Sequence, residues 1–258
     1  MSRLTTLLLL LVAPSLSLSL SLSLGGATSR LLDGEAAAVG SHPYSVSVQF
    51  QDAHVCGGAL LSAQHCVTAA HCVTRGNGIV SYPARSFAVR AGSIQRSAGG
   101  QLVPVGSIVV HKEYADGLND LALLVLHSPL TLNANTQPIA LASEAPPVGA
   151  ALSYSGWGSV GKSGDFSHRL LVGSQLVISA ADCQQQIFIQ HAGLLCLASA
   201  STSEAEQRMC AGDGGAPAVY KNELVAIGSF YVGGCGTSKP DGFVNIAHYR
   251  DWISENSP

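Results

Sequence analysis

The sequence contains few charged residues. Lys, Arg, Asp and Glu make up 11% of its 258 positions, well below the roughly 25% that is usual in soluble domains. The basic residues form no cluster and the net charge is −3, which argues against nucleic acid and anionic membranes as partners. Beyond the N-terminal stretch no run is long and apolar enough to span a bilayer, so we expect no membrane-embedded domain.

Glycine, in contrast, is abundant, with 28 residues, and with Pro, Asn and Ser it divides the chain into short strand-like runs. Strands at such intervals favour a sandwich or barrels over alternating strands and helices. From Tyr44 to Phe50 apolar and polar residues alternate, which predicts a half-buried strand. The other runs predicted as strands are 57–70, 86–92, 101–111, 120–126, 149–158, 170–178, 215–230 and 242–247.

Two segments have helical signals. Ser179 is a suitable N-cap for a short helix in SAADCQQQIF. Near the end, Tyr249, Trp252 and Ile253 have the spacing of three and four residues that places side chains on one helical face. We therefore expect an all-β domain with a packed C-terminal helix.

The N-terminal stretch is typical of a secretory signal. Arg3 supplies the basic start, an apolar Leu-Ser repeat follows, and small residues at 25–27 offer a cleavage site. The alternative is a membrane anchor, but Pro14 and the alternating serines disfavour a spanning helix. We therefore expect residues 1–27 to be removed and the protein to be secreted.

Three short stretches are candidates for chemistry. His71 lies beside Cys72, Asp120 opens an apolar run, and CAGDGGAPAVY begins at Cys210. Taken singly, each has a purely structural interpretation, because a histidine can pack under a loop and an aspartate can cap a turn. Seven cysteines in an exported chain also imply disulfides with one thiol left over, and the sequence alone allows many pairings.

Together, and in this order, the stretches resemble the trypsin/chymotrypsin-like serine protease family, whose triad follows the order His, Asp, Ser. The resemblance covers the chain after Arg30 and includes 68–72, 120–124, 156–158 and the terminal helix. It implies two packed antiparallel β-barrels with the site between them. It also makes residues 28–30 a short pro-segment and residues 31–258 the protease-like domain.

The resemblance implies a disulfide pattern and disfavours a metal site. The implied pairs are Cys56–Cys72, Cys183–Cys196 and Cys210–Cys235, which leave Cys66 as an unpaired thiol that we interpret as a small buried hydrophobe. His65, Cys66, His71 and Cys72 have ligand types that suit zinc. However, a disulfide-bonded Cys72 supplies no thiolate, and strand alternation separates the others. We expect neither a metal nor a cofactor.

The third stretch departs from the family at its most important position. Gly214 stands where the nucleophilic serine belongs, so His71 and Asp120 are predicted to be a vestigial base and its orienting acid. The backbone amides of Gly212 and Gly214 are still expected to form an oxyanion hole, because amides survive the loss of a side chain. Ala216 replaces a family glycine and places a Cβ in a tight turn where glycine is permissive.

The predicted specificity pocket also departs from that of a trypsin. Arg208 takes the floor position, where trypsins have an acid, and Ser229 begins the wall. Tyr231 replaces a wall glycine and is expected to crowd the pocket, which Gly242 also lines. The alternative is that these side chains turn outward to solvent. Under either interpretation, trypsin-like specificity is not expected.

One regulatory feature of the family is predicted to be retained. Cleavage after Arg30 by another protease would release the amine of Leu31, which could pair with Asp213. A buried unpaired carboxylate is costly, so the amine has a physical reason to dock. The alternative is that Arg30 is an ordinary surface residue.

The leading hypothesis is therefore a secreted, non-catalytic serine protease homologue that binds a protein partner. That partner would be an active protease whose cascade it modulates, or an inhibitor that it sequesters. A second hypothesis is a weak residual hydrolase in which His71 activates water. A third is an inhibitor or carrier role toward a target that is not a protease.

Overall fold

The computed structural model describes residues 34–76, 78–115, 117–160, 164–199 and 208–257. The predicted signal and the Arg30–Leu31 junction lie outside these residues. The strands are β1 (Glu35–Ala36), β2 (Ser45–Phe50), β3 (Ala53–Leu60), β4 (His65–Thr68), β5 (Phe87–Ala91), β6 (Gln101–Val110), β7 (Ala122–Leu126), β8 (Ala140–Leu141), β9 (Ala151–Gly156), β10 (Leu171–Val177), β11 (Leu194–Ala198), β12 (Pro217–Tyr220), β13 (Glu223–Phe230) and β14 (Asp241–Asn245). The helices are α1 (Ala180–Ile187) and α2 (Ile246–Asn256).

The strands form two closed antiparallel barrels. The first has the order β2-β3-β4-β7-β6-β5. The second has the order β10-β11-β14-β13-β12-β9 and closes through the pairing of β9 with β10. The short strands β1 and β8 pair with β10 and β13 outside this ring. The prediction of two packed barrels with a C-terminal helix is thus confirmed.

One hydrophobic cluster joins the two barrels to the terminal helix. Val67 and Leu123 contribute from the first barrel, Ile227 and Val244 from the second, and Ile253 from α2. Full burial of such a side chain stabilises the fold by about 1.5–3 kcal/mol. The cleft between the barrels therefore has a rigid base.

Strand β2 is more deeply buried than its pattern predicted. Its first five residues are buried, including Ser45, Ser47 and Gln49. The polar face meets the second barrel instead of water, and the Ser45 and Ser155 hydroxyls are 2.7 Å apart across the interface. The prediction of a half-buried strand was wrong, because alternation reports polarity and this interface uses polar contacts.

Two runs predicted as single strands are each divided by a turn. The run 57–70 breaks between β3 and β4, and the run 215–230 breaks at Lys221 and Asn222. These two residues have φ of 50° and 65°, as a two-residue hairpin turn requires. Ser179 caps α1 as predicted, since its Oγ accepts a hydrogen bond of 3.0 Å from the Asp182 amide. In the described part of the chain no helix is long and apolar enough to cross a membrane.

Three disulfides tie loops to the barrels. They join Cys56 to Cys72, Cys183 to Cys196 and Cys210 to Cys235, with Cα separations of 6.1, 6.0 and 5.0 Å. Cys66 is a buried free cysteine. Burial raises the pKa of its thiol to about 12, so this thiol has little thiolate character.

A tight cross-strand pair offers a test of the second barrel. Tyr154 on β9 lies opposite Gly173 on β10, and a Cβ added at Gly173 would lie 2.5 Å from the tyrosine Cζ. We expect Gly173→Ala to lower the free energy of unfolding by about 1–3 kcal/mol in urea, as overpacked cores do. Gly78→Ala is the control, because no atom lies within 4 Å of its added Cβ. Equal stability of both variants would contradict this packing.

Candidate functional site

His71 and Asp120 meet at the mouth of the cleft. His71 lies on a short turn after β4, and its backbone amide donates to Asp120 Oδ1 over 2.9 Å. Its ring Nδ1 lies 2.7 Å from Asp120 Oδ2. Ser229 donates to the same Oδ2 over 2.6 Å. The structure therefore places Ser229, predicted as pocket wall, against the acid that orients His71.

The Asp120 carboxylate is held in its charged form by these contacts. Burial alone raises its pKa, but the hydrogen bonds from His71 and Ser229 outweigh burial, so the pKa lies below its usual value. The side chain of His71 is 39% exposed, whereas that of Asp120 is 5% exposed. A charged acid behind an accessible imidazole is the arrangement that orients a general base.

Gly214 lies directly against the His71 ring. An ideal Cβ at Gly214 would lie 2.7 Å from Cε1 of His71, and closer still to Nε2. It would also lie 3.1 Å from Cys56 Sγ. The imidazole thus occupies the space that a side chain at position 214 needs, and any larger residue there requires His71 to move.

The loop around Gly214 depends on glycine at two positions. Gly212 and Gly215 have φ of 90° and 73°, where L side chains are strained. Ala216 is not among the described residues with positive φ, and its buried methyl packs beside Gly57 and Gly156. This position therefore does not need the conformational freedom of glycine.

The backbone amides of Gly212 and Gly214 are the predicted oxyanion donors. The Ala211 carbonyl accepts from the Ser159 amide over 2.7 Å, and the Asp213 carbonyl accepts from the Ala216 amide over 3.0 Å. In a planar trans peptide the N–H points opposite to the C=O of the same unit, so the two amides point away from these partners, and neither donates a hydrogen bond to a described residue. Gly214 is buried and Gly212 is half-buried, and the oxyanion hole stays a prediction.

His54 supports this loop from beneath, and sequence reasoning missed it. Its Nε2 donates to the Gly212 carbonyl over 3.1 Å, and its Nδ1 lies 2.8 Å from Ser47 Oγ. Burial lowers the pKa of His54 to about 4, so the ring is neutral at ordinary pH. A histidine at the buried face of a strand carried no signal of this contact in the sequence.

Asp213 is fully buried beneath the same loop. Its carboxylate accepts from the Gly158 amide over 2.8 Å and from the Cys210 amide over 3.1 Å. Gly156 and Gly158 leave the space that it occupies. Burial nevertheless raises the pKa of Asp213 to about 7. Its proposed partner, the amine of Leu31, lies outside the described residues.

The residues at the predicted pocket floor are buried. Arg208 and Met209 are 3% and 1% exposed, and Arg208 Nη1 donates to the Lys239 carbonyl over 3.0 Å. Asp241 is also 3% exposed, and its Oδ2 accepts from the Met209 amide over 3.0 Å. Arg208 does not turn outward, and Tyr231 is half-buried and packs against the second barrel core.

Asp241 is the second residue that sequence reasoning missed. The sequence analysis assigned the pocket lining to its neighbour Gly242, which lies against the Phe230 ring. A usable signal was present, because an arginine predicted to be buried needs a nearby acid or acceptor. Gln175 also donates to Asp241, over 2.7 Å.

A cavity of about 460 Å³ opens beside His71. Its apolar lining includes Tyr114, Ile189 and Phe230. His71 also lies with Cys56 and Cys72 in a cluster whose ligand atoms are within 4.8 Å of one another. The two sulfurs form a disulfide, so as they stand they offer a metal no thiolate.

Comparison with known proteins agrees with this architecture. The chain is 34% identical over 225 residues to serine protease SP24D of Anopheles gambiae, covering 87% of this chain and 80% of the relative. It is 31% identical over 234 residues to trypsin delta of Drosophila melanogaster, covering 88% of each.

Solved structures show the same fold. Neuropsin, a serine protease expressed in the limbic system of mouse brain, superposes with a TM-score of 0.77 at 26% identity, covering 88% of this chain and 99% of neuropsin. A scabies mite inactivated protease paralogue, S-D1, gives a TM-score of 0.78 at 25% identity, covering 86% and 95%. The trypsin family model matches residues 31–253, and the chain belongs to the trypsin family of serine proteases.

Proposed function

We propose that this chain is a secreted, non-catalytic member of the trypsin family that acts by binding a protein partner. The observation that carries the proposal is the contact between Gly214 and His71. A serine protease needs a nucleophile, a base, an orienting acid and oxyanion donors. The chain supplies the last three, but residue 214 offers no atom for attack, and the His71 ring fills its place.

The magnitude of this loss supports binding over turnover. Deleting the serine of a related triad costs about 10⁶ in turnover, and the remaining roughly 10³–10⁴ over water comes from binding and the oxyanion hole. The buried Arg208 at the predicted pocket floor opposes a basic substrate side chain, which removes a further source of trypsin-like catalysis. Among structural relatives, the scabies mite protein is described as an inactivated protease paralogue.

The family background and the three disulfides support secretion. The partner that fits best is a secreted protease or protease inhibitor, since such proteins recognise the surface around a trypsin-like cleft. A role for the Arg30 junction in ordering this surface belongs to the same proposal. Burial raises the pKa of Asp213 to about 7, and a docked amine of Leu31 would stabilise its charged form.

The first test is turnover. We expect protein cut after Arg30 to hydrolyse no member of a diverse fluorogenic peptide library above the background of a His71→Ala variant. Circular dichroism of both proteins provides the folding control. Turnover that disappears in His71→Ala would instead establish the residual hydrolase.

Restoring the serine tests whether Gly214 is the only obstacle. We expect Gly214→Ser to leave kcat/KM for peptide substrates within about tenfold of background, because the new Cβ displaces His71 and Arg208 still occupies the pocket floor. The measurement is steady-state cleavage after processing at Arg30. Robust trypsin-like activity in this single variant would show that our interpretation of the pocket is wrong.

The pH dependence of stability tests the Arg30 switch. The pKa of Asp213 is about 7 in the folded protein, whereas the usual value is 3.8. Between these two pH values Asp213 is protonated in the folded protein and ionised in the unfolded chain. The free energy of unfolding of the protein that is not cut after Arg30 should therefore fall by several kcal/mol as the pH rises from about 4 to 7. A docked Leu31 amine would stabilise the carboxylate and abolish this fall. Urea unfolding from pH 4 to 8 measures both forms.

The difference between the cleaved and uncleaved proteins reports on Asp213, because Asp120 and His54 contribute equally to the pH dependence of stability in both. Asp213→Asn in the uncleaved form is the matched control and should flatten the profile in the same window. Identical profiles for cleaved and uncleaved protein would contradict the switch.

A further inference from the structure

The second barrel contains a further cavity, of about 170 Å³, beside α1. We name it the α1 cavity. Its walls come from the end of β10, from α1 and from β11, through side chains that include Ile178, Ala180, Cys183, Leu194 and Cys196. Neither His71 nor Gly214 belongs to its lining, so the α1 cavity is separate from the site described above.

Covalent and hydrogen bonds hold the walls of the α1 cavity in place. The disulfide between Cys183 and Cys196 joins α1 to β11, and the Ile178 amide donates to the Cys196 carbonyl over 3.1 Å. The loop before β9 is tied to β10, because the Gly149 amide donates to the Val177 carbonyl over 2.8 Å. The walls therefore stand without a ligand, and a molecule that enters has little ordering of the protein to offset.

The lining of the α1 cavity is mainly apolar. Among the described residues that form it there is no Lys, Arg, Asp or Glu, and the polar side chains are those of Gln190 and His191. Burial lowers the pKa of His191, so its ring is neutral at ordinary pH. An apolar cavity of about 150 Å³ stays dry and binds benzene. The volume and lining of the α1 cavity therefore suit an uncharged molecule of about that size.

The segment from 189 to 191 connects the α1 cavity to the cleft. Ile189 lines both the α1 cavity and the cavity beside His71. Nε2 of His191 donates to the Gly117 carbonyl over 3.3 Å, and Gly117 also lines the cavity beside His71. Because packed side chains and hydrogen bonds carry coupling between sites, a molecule that displaces Ile189 or His191 alters the wall of the cleft.

We infer that the α1 cavity is a binding site for a small, uncharged, apolar molecule with about one aromatic ring, and that its occupancy is transmitted to the cleft through Ile189 and His191. The inference goes beyond the proposed function and does not depend on the absence of turnover, because the α1 cavity lies apart from Gly214. Coupling of this kind is reciprocal, so the molecule would change the affinity of the cleft for its partner by the factor by which the partner changes the affinity of the α1 cavity.

Toluene is the probe for this site, and benzoate tests the exclusion of charge. Each is titrated into the full secreted chain with ¹³C-labelled isoleucine methyl groups, whose NMR signals are assigned with Ile→Val variants. We expect one toluene to bind per chain and to shift the signals of Ile178 and Ile189, which line the cavity. The signals of Ile227 and Ile253, in the cluster that joins the barrels, should not move. Benzoate should bind at least tenfold more weakly. No saturable binding of toluene, equal affinity for benzoate, or equal shifts at all four residues would overturn the inference.

A matched pair of variants on α1 locates the bound toluene. Ala180 lines the cavity, whereas its neighbour Ala181 is exposed and is not among the lining residues. Ala180→Leu should fill part of the cavity and weaken toluene binding at least tenfold. Ala181→Leu makes the same change on the same helix and should leave the affinity unchanged. Circular dichroism checks the folding of both. Equal affinity of the two variants would place toluene elsewhere and overturn the inference.

The transmission to the cleft is measured at His71. We expect saturating toluene to shift the imidazole NMR signals of His71, assigned with His71→Ala, in the unaltered protein and in Ala181→Leu. At the same toluene concentration Ala180→Leu should show no such shift. His71 signals that stay unchanged at saturation would overturn the transmission. This measurement needs no nucleophile, so its failure is distinct from a failure of the proposed function, which turnover alone would reject.

Discussion

The burial of Asp213 is the constraint on which the site depends. Its carboxylate accepts two backbone amides and fills the space left by Gly156 and Gly158. These contacts hold the loop from 210 to 216, whose Ala211 and Asp213 carbonyls are also hydrogen-bonded. The shape of this loop therefore depends on the packing of one acid and does not require a side chain at position 214.

This dependence explains which features were predictable from the sequence. The barrels, the terminal helix and the His71–Asp120 pair follow from strand patterns and from motifs in a fixed order. Asp241 and His54 were missed because their roles arise only when distant segments meet. Asp241 accepts from residues more than 30 positions away, and His54 contacts Gly212 from the other barrel.

Burial also explains the error on strand β2. Ser45, Ser47 and Gln49 alternate with valines, and alternation ordinarily indicates one face in water. Here the polar face lies between two barrels, where Ser45 meets Ser155 and Gln49 donates to the Arg96 carbonyl. A sequence pattern distinguishes the polar face of a strand from its apolar face, but it does not predict whether water or another part of the protein covers the polar face.

The two departures from a trypsin differ in their physical consequences. Gly214 leaves no side chain in a buried loop whose backbone is held by other groups, and under the proposed function this glycine removes the nucleophile. Arg208 and Asp241 are both buried at the predicted pocket floor, where Arg208 donates to the Lys239 carbonyl and Asp241 accepts from Gln175 and from the Met209 amide. Asp241 also raises the pKa of Asp213, so the floor is coupled to the acid that holds the loop. The residues at the floor are thus coupled to the loop through hydrogen bonds and charge, so the departure at Arg208 and Asp241 bears on the position of the loop as well as on the pocket.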